Sequence, residues 1–387
     1  MDGVGRQLGK AVQCLRWLPA YGWQWLTRRP PRTGVVHLII AVADHFEPSI
    51  VPGVPLAYAR FDEQEERLER WCAEYPKAVE SWRDVDGRPL RHTYFYPAEQ
   101  YSKALIDRLA EHCRAGWGET EVHLHHGVHA SDTAENTRRL LVEFRDALAG
   151  HGCLSRWNGE GGPRYAFVHG NWALANSGRG HGCGVDEELQ ILAETGCYAD
   201  LTLPSAPHPA QVAKINALYE CALPLYQRAP HRRGRDLSRG HTPRIFPLII
   251  QGPLGLNLAR RVRGWPMPRI ETGALTTFYP PTMHRLRLWC RPAVTVKDRP
   301  DWIFIKLHCH GMDPRDEAAM LGRPMQRFLS ELIDDANIKS RYRVHFVTAR
   351  EMVNMILAAC DGREGSPGDY RDYRLRLGHP CASSSPS

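Results

Sequence analysis

Four histidines lie within seven positions of this sequence, at positions 123, 125, 126 and 129. An imidazole that leaves water needs a partner for its ring nitrogens, and a divalent metal ion supplies one. His125 and His129 are four residues apart, so a helical turn after a strand would place both rings on one face. Ligands of this type favour Zn most, with other first-row metals as further candidates. A surface cluster with incidental metal affinity is the alternative.

Other polar residues with potential chemistry follow three apolar runs elsewhere in the chain. They are Asp44, His45 and Glu47 after the first run, His169, Asn171 and Trp172 after a central run, and His308 and His310 after a late run. A single buried histidine is usually a hydrogen-bonded core residue, so each group alone is a weak signal. Together they favour a site in which histidines bind a metal and a nearby side chain moves a proton.

The apolar runs themselves predict buried strands, because both of their faces are apolar and helical patterns lie between them. The predicted strands cover residues 35–43, 92–96, 120–124, 164–168, 199–203, 245–250, 302–307 and 343–347. The predicted helices cover residues 58–75, 98–114, 133–149, 186–194, 209–221, 316–335 and 348–359, with N-caps at Asp132 and Thr348. This alternation predicts an α/β fold, a parallel β/α barrel of seven or eight strands. Barrel enzymes place their chemistry at the C-terminal ends of strands, where these polar residues fall.

The segment Glu121-x-x-x-His125-x-x-x-His129 resembles the second motif of the polysaccharide deacetylases, the NodB-type carbohydrate esterases. Asp44 stands at the place of that family's first motif. Lys306-Leu307-His308 and His308-Cys309-His310 both approximate the family's late Leu-x-His motif. The resemblance covers residues 35–358. Two other family motifs, expected after the fourth and fifth strands, are absent, so the resemblance is to a divergent member.

The resemblance implies a distorted seven-stranded β/α barrel that uses a divalent metal to remove acetyl groups from N- or O-acetylated sugars. Asp44, His125 and His129 would then hold the metal. His45 stands where the family has a second Asp, which makes it a replacement ligand. An acetylated saccharide is the implied substrate.

The same resemblance implies the remaining roles in the site. The catalytic candidates are Asp44 or Glu47 as the base and His308 or His310 as the acid. Which of Asp44, His45 and Glu47 is base and which is ligand stays open. His169, Asn171 and Trp172 would contact the sugar, although Trp172 could equally be a core residue.

Length and composition bound the rest of the chain. Residues 1–33 form a basic, Trp-rich extension, either a helix that covers one end of the barrel or a segment that contacts a membrane surface. Residues 34–360 are expected to form the barrel, and residues 361–387 a disordered tail. The eleven cysteines contain no C-x-x-C pair, which favours reduced thiols and a cytoplasmic location, with membrane-peripheral contact through the N-terminus as an added expectation.

Two rival functions follow from the same residues. One is another metal-dependent barrel hydrolase, of the amidohydrolase kind, that would use His308 and His310 as a ligand pair. The other is a catalytically inactive barrel that binds carbohydrate. A nucleic-acid partner is not expected, because a net charge of +7 is modest for 387 residues and no recognised nucleic-acid motif is present.

Overall fold

A computed structural model describes residues 15–378, except for residues 55, 56, 260 and 263. It contains a strand at each of the eight predicted places. These are β1 (Val36–His45), β2 (His92–Pro97), β3 (Gly118–Leu124), β4 (Glu160–His169), β5 (Cys197–Asp200), β6 (Leu248–Ile250), β7 (Trp302–Cys309) and β8 (Tyr342–Val347). All ladders among these eight strands are parallel, which confirms an α/β fold with a large, mostly parallel sheet.

The strands follow the order β7-β1-β2-β3-β4-β5-β6 across the sheet. Two short antiparallel strands, Leu218–Cys221 and Gly234–Asp236, extend it beyond β6. One edge of β1 is shared, because β8 pairs with Val36 to Ala41 and β2 pairs with Val42 to His45. Within the described residues no ladder joins β7 to β6, so the backbone pairing does not show a closed barrel.

In the part of the chain that the structure describes, smaller strands and ten α-helices surround this sheet. The smaller strands are Ser155–Trp157, Gly255–Asn257, Arg261–Val262, Trp265–Pro266, Arg269–Glu271 and Leu375–Leu377. The helices are α1 (Leu18–Thr27), α2 (Phe61–Val79), α3 (Lys103–His112), α4 (Ala134–Gly150), α5 (Glu188–Thr195), α6 (Met283–Cys290), α7 (Glu317–Leu321), α8 (Arg323–Asp334), α9 (Ala336–Arg341) and α10 (Ala349–Cys360). Among the described residues, no helix has the length and apolar character needed to cross a membrane.

The alternation of side chains along β1 separates the two layers of the core. Val42 and Phe46 pack with Trp71 of α2 on the outer, helix-covered face. Ala41 and Ala43 belong to a second cluster on the inner face of the sheet. Because successive strand residues point to opposite faces, Asp44 is directed outward and His45 inward.

The helix predicted for residues 209–221 is wrong. Its first part is a loop, and Leu218–Cys221 is a strand that pairs with β6. The Gln211 side chain accepts the backbone N–H groups of Ser205 and Ala206, and Asn216 Oδ1 accepts that of Leu254. Such bonds from side chains to the backbone compete with helix formation.

Helix caps and breaks also differ in part from the predictions. The predicted cap at Thr348 is confirmed, since Thr348 and Glu351 form a capping box at the start of α10. The cap of α4 is Thr133 rather than Asp132. The predicted helix 316–335 is divided at Gly322, where Pro324 in the first turn of α8 prevents a continuous helix.

The tail predicted to be disordered is packed as far as it is described. Arg371 is buried and donates to Asp84, Asp86 and Glu351. Leu375 is completely buried, and Leu375–Leu377 pairs with Ser155–Trp157. The prediction is therefore wrong for residues 361–378, while residues 379–387 lie outside the described part of the chain.

The N-terminal extension packs against the domain through α1. Trp17 is fully buried and lies in a small cluster with Ile215 and Leu254. Gln24 Nε2 donates to the Ile215 carbonyl at 2.8 Å. This packing agrees with the expectation of a helix that covers the domain, and residues 1–14 lie outside the description.

Candidate metal centre

Four histidines and one carboxylate meet inside the C-terminal end of the sheet. We call this group the Glu47 cluster, and its members are His45, Glu47, His123, His125 and His310. His45 and His123 lie in β1 and β3, and the other three residues follow β1, β3 and β7. The His45 ring centroid lies 4.8 Å from that of His123 and 4.7 Å from that of His310. Glu47 Oε1 lies 3.2 Å from His123 Nε2 and 3.6 Å from His125 Nε2. The sequence therefore brings together the histidines of three separate motifs.

The Glu47 cluster contains two overlapping sets of groups that could hold a metal ion. One set is His45, Glu47 and His310, and the other is Glu47, His123 and His125, with the ligand atoms of each set within 4.8 Å of one another. Glu47 is common to both sets. His45 Nδ1 is buried and has no hydrogen-bond partner in the described part of the chain, which fits a ring nitrogen that would bind a cation. Imidazole and carboxylate together suit Zn and other first-row divalent metals.

Hydrogen bonds fix the direction of two of these rings. His123 Nδ1 donates to the Val168 carbonyl at 2.8 Å, and His125 Nδ1 donates to Glu99 Oε1 at 2.7 Å. Both rings consequently present Nε2 to Glu47. Histidines that bind metals in proteins are oriented in the same way, through the second ring nitrogen.

The surroundings of the Glu47 cluster favour, for most of its side chains, the protonation state that can bind a metal ion. Burial and the nearby His310 and His123 lower the pKa of His45 well below its usual value. Burial also lowers the pKa of His123. Burial acts to raise the pKa of Glu47, but the hydrogen bond with His123 and the charge of His125 outweigh it and lower that pKa to about 2. Neutral imidazoles and an ionised carboxylate are the forms that bind a metal.

Asp44, expected as a ligand and as the base, lies outside the Glu47 cluster. Its side chain is completely buried on the outer face of β1. Its Oδ2 accepts a hydrogen bond from His92 Nδ1 at 2.9 Å, and its Oδ1 accepts one from the Gly311 N–H at 2.7 Å. The alternation of the strand turns Asp44 toward the helices and leaves His45 on the inner face, so Asp44 does not join the expected histidines. It lies instead with His92 and Cys309 in another group of residues that could hold a metal ion.

His129, the other expected ligand, is exposed and belongs to neither set of ligands. Residues after β3 form a loop rather than a helical turn, so the four-residue spacing does not place His125 and His129 on one face. Gly127 has a positive φ of 64°, and a Cβ there would overlap the Cys183 carbonyl. The close approach to residue 183 accompanies a bend at residues 127–130 rather than a helical turn.

Two cavities open beside the Glu47 cluster. One has a volume of about 740 Å³ and is lined by Glu47, His125 and His129, among others. The other has a volume of about 810 Å³ and is lined by His308 and His310, among others. Ile50 and Arg315 line both cavities, so the two spaces are neighbours. Their volumes are typical of pockets that bind small molecules.

His308 faces the second cavity with a neutral ring. Burial, together with Lys306 and His310, lowers its pKa well below the usual value, and its Nδ1 is buried without a partner. Lys306 lies beneath it, where Nζ donates to the Leu201 carbonyl at 2.8 Å and burial lowers the pKa of the amine to about 7. A neutral imidazole at this position can accept a proton before it delivers one.

The three residues expected to contact a sugar are placed differently from one another. Trp172 is half-buried and lines the second cavity. Asn171 lines the first cavity, but its Nδ2 donates to the His126 carbonyl at 3.1 Å. His169 is completely buried, so the expectation that it contacts substrate is wrong. It ends β4 with its side chain directed into a separate buried cluster.

Sequence reasoning missed several groups that support the site. Glu99, which orients His125, follows β2 in a short 3-10 turn, and Lys306 lies within an apolar strand. Lys306 could have been noticed because it is a cation within a run of apolar residues. A buried cation is rare unless it has a function or a partner. Glu99 carried no such signal, because an acidic residue directly after a strand is common in any sequence.

Comparison with protein-family models and with curated proteins finds no match to this chain.

Proposed function

We propose that this protein is a metal-dependent hydrolase that removes acetyl groups from an N- or O-acetylated sugar or polysaccharide intermediate. The observation that carries the proposal is the position of Glu47, shared by two histidine sets at the C-terminal end of a parallel sheet and beside two cavities. Zn is the divalent ion that best suits these ligands. Such an ion, when bound, supplies a Lewis acid for the acyl carbonyl and for the attacking water.

The side chains of the site would bind the ion, transfer the proton and contact the sugar. One of the two sets, Glu47 with His45 and His310 or Glu47 with His123 and His125, would hold the ion, and three protein ligands would leave a position open for water. His308, neutral and facing the second cavity, would take the proton of the attacking water and return it to the leaving amine or alkoxide. Trp172 would stack on the apolar face of a sugar ring.

The resemblance to the polysaccharide deacetylases adds to this proposal, with three changes of roles. His310 would be a ligand rather than the acid, and His308 would serve as base as well as acid. Glu47 would replace Asp44 as the carboxylate ligand. The distorted barrel of that family is part of the proposal, and one contact across the interior supports it. Lys306 of β7 reaches the Leu201 carbonyl directly after β5, so the sheet curves enough to bring distant strands together.

The test measures metal and acetate in the same preparations. Purified wild-type protein is expected to carry a stoichiometric divalent ion in the Glu47 cluster and to release acetate from acetylated oligosaccharides. Glu47→Gln should lose that ion and reduce acetate release at least about 100-fold, since a ligand carboxylate is removed. Glu143→Gln, an exposed carboxylate on α4, is the matched control and should change neither quantity. If wild-type protein binds no divalent ion there, the proposal fails.

One observation favours the amidohydrolase-like alternative as a second candidate. His308 and His310 are two residues apart and both line the second cavity, as a ligand pair would. In that case metal would be bound and acetate would not be released, whereas other amide substrates would be cleaved. A carbohydrate-binding protein without turnover would bind saccharide and cleave nothing.

We also propose that α1 contacts an anionic membrane surface. Trp23 and Leu26 are 69% and 75% exposed, and Arg28 and Arg29 follow directly in the sequence. Exposed apolar side chains beside cations are typical of interfacial helices. Binding to phosphatidylcholine vesicles that contain phosphatidylglycerol is expected to fall at least about tenfold in a Trp23→Ser, Leu26→Ser variant. Val85→Ser, at another exposed apolar residue, is the control, and equal binding by all three proteins would refute the contact.

A further inference from the structure

A second group of metal-ligand types lies behind the Glu47 cluster and has no part in the proposed reaction. We call it the Cys183 cluster: His126, His169, Cys183 and Glu188. All four side chains are buried, and their ligand atoms lie within 4.8 Å of one another. They come from the loop after β3, the end of β4, a glycine-rich loop and the first turn of α5. We propose that these four residues form a separate, closed zinc site that ties those elements together.

The distances within the Cys183 cluster are close to those around a tetrahedral ion. Glu188 Oε1 lies 2.8 Å from His126 Nε2 and 3.5 Å from His169 Nε2, and Cys183 Sγ lies 3.7 Å from Glu188 Oε2. Around zinc, with bonds of about 2.0–2.3 Å, neighbouring ligand atoms are about 3.3–3.8 Å apart. Small movements of the Glu188 carboxylate and the His126 ring would therefore admit the ion.

The surroundings of the two histidines also fit coordination. His126 Nδ1 donates to Asp132 Oδ2 at 2.9 Å, which directs Nε2 into the cluster in the manner of a metal-bound histidine. His169 Nε2 is completely buried and has no hydrogen-bond partner among the described residues. A thiolate and a carboxylate would balance the two charges of Zn²⁺, so the loaded site would bury no net charge.

Loading would also require a local change beside His169. The Asn171 N–H now donates to His169 Nδ1 at 3.1 Å. Coordination through Nε2 places the imidazole proton on Nδ1, so the Asn171 N–H must turn away. Four protein ligands leave no open position on the ion, which makes the site structural rather than catalytic.

Cobalt substitution distinguishes the Cys183 cluster from the Glu47 cluster, because only the former contains sulfur. The full-length protein, stripped of metal and loaded with Co²⁺, is expected to show a thiolate-to-cobalt absorption band in the near ultraviolet. Cys183→Ser should abolish the band and remove one equivalent of metal per chain. Glu47→Gln should keep the band, so failure of the proposed function would leave this result intact.

Two controls keep the test decisive. Asp44, His92 and Cys309 form another group of possible metal ligands in the described chain. Cys309→Ser removes the thiol of that group and should keep the band. Cys197→Ser removes a buried thiol outside these groups and should also keep it. Should Cys183→Ser fold poorly, His169→Gln should shift the band, since one nitrogen ligand is lost. Absence of the band in folded wild-type protein, or its loss only in Cys309→Ser, would overturn the proposal.

Discussion

At the scale of single residues, the direction of a side chain decided which candidates form the site. Residue types and strand ends were sufficient to predict that His45, Glu47, His125 and His310 lie together. They were insufficient to separate Asp44 from its neighbour, because both faces of β1 are buried and the apolar run has no visible alternation. For a strand covered on one side only, the pattern itself would have identified the inner face.

Asp44 should consequently support the fold rather than bind metal. Asp44→Asn places an amide where the carboxylate now accepts from both His92 and the Gly311 N–H. We expect the free energy of unfolding to fall by about 1–3 kcal/mol, because a buried charge-assisted acceptor is lost. Metal content should stay at the wild-type value. Urea unfolding together with metal analysis checks this, and loss of metal with unchanged stability would restore Asp44 as a ligand.

At the scale of elements, every predicted strand is present, while helix ends and loops were less predictable. Strands were recognisable because apolar runs bounded by turn residues are specific for a buried sheet. The segment 209–221 shows the opposite case, since its apolar residues fit a helix and only distant partners such as Leu254 settle its conformation. The prediction of disorder for residues 361–378 was wrong for a related reason. Their polar composition concealed Arg371 and Leu375, whose partners lie far away in the chain.

The segment 361–378 should be required for stability. A chain that ends at residue 360 loses Arg371, which leaves Asp84 and Glu351 buried without one of their cationic partners. It also exposes the surface that Leu375 covers. We expect the free energy of unfolding to fall by at least about 4 kcal/mol, as when one member of a buried ion pair is removed.

The matched control for this truncation is a chain that ends at Gly378, which keeps Arg371 and Leu375. Its unfolding midpoint in urea should equal that of the full-length protein. Equal midpoints for all three chains would mean that the packing of residues 361–378 contributes nothing to stability.

At the scale of the whole molecule, the 19 histidines of the sequence make the stability of the fold sensitive to acid. Several of these residues are buried and neutral, and His231 is the clearest case outside either cluster. It is completely buried, and neither ring nitrogen has a hydrogen-bond partner within residues 15–378 as described. Burial together with Arg232 lowers its pKa to about 3. The unfolded chain binds a proton there below about pH 6.5, whereas the folded protein does so only near pH 3.

The free energy of unfolding should therefore fall as the pH falls from about 6.5 toward 3. The contribution of His231 is fully present above pH 6.5, and about 3 kcal/mol of it is lost by pH 4.5. A His231→Leu variant removes the titrating group. The loss of unfolding free energy between pH 7.5 and pH 4.5 should therefore be about 3 kcal/mol smaller in the variant than in the wild type. Urea unfolding at pH 7.5 and pH 4.5 measures the difference. Equal pH dependence in the two proteins would show that His231 is solvated or paired in solution.

The two cavities that share Ile50 and Arg315 have a consequence for the shape of a substrate. Two adjoining spaces beside the Glu47 cluster would give a linear molecule room to extend beyond the reactive groups. An interior unit of a polymer, rather than only its terminus, could then reach the reactive groups. Under the proposed activity, an oligomer of several units would occupy both spaces and be processed faster than a single sugar. The enzyme would thus act in an endo rather than an exo manner.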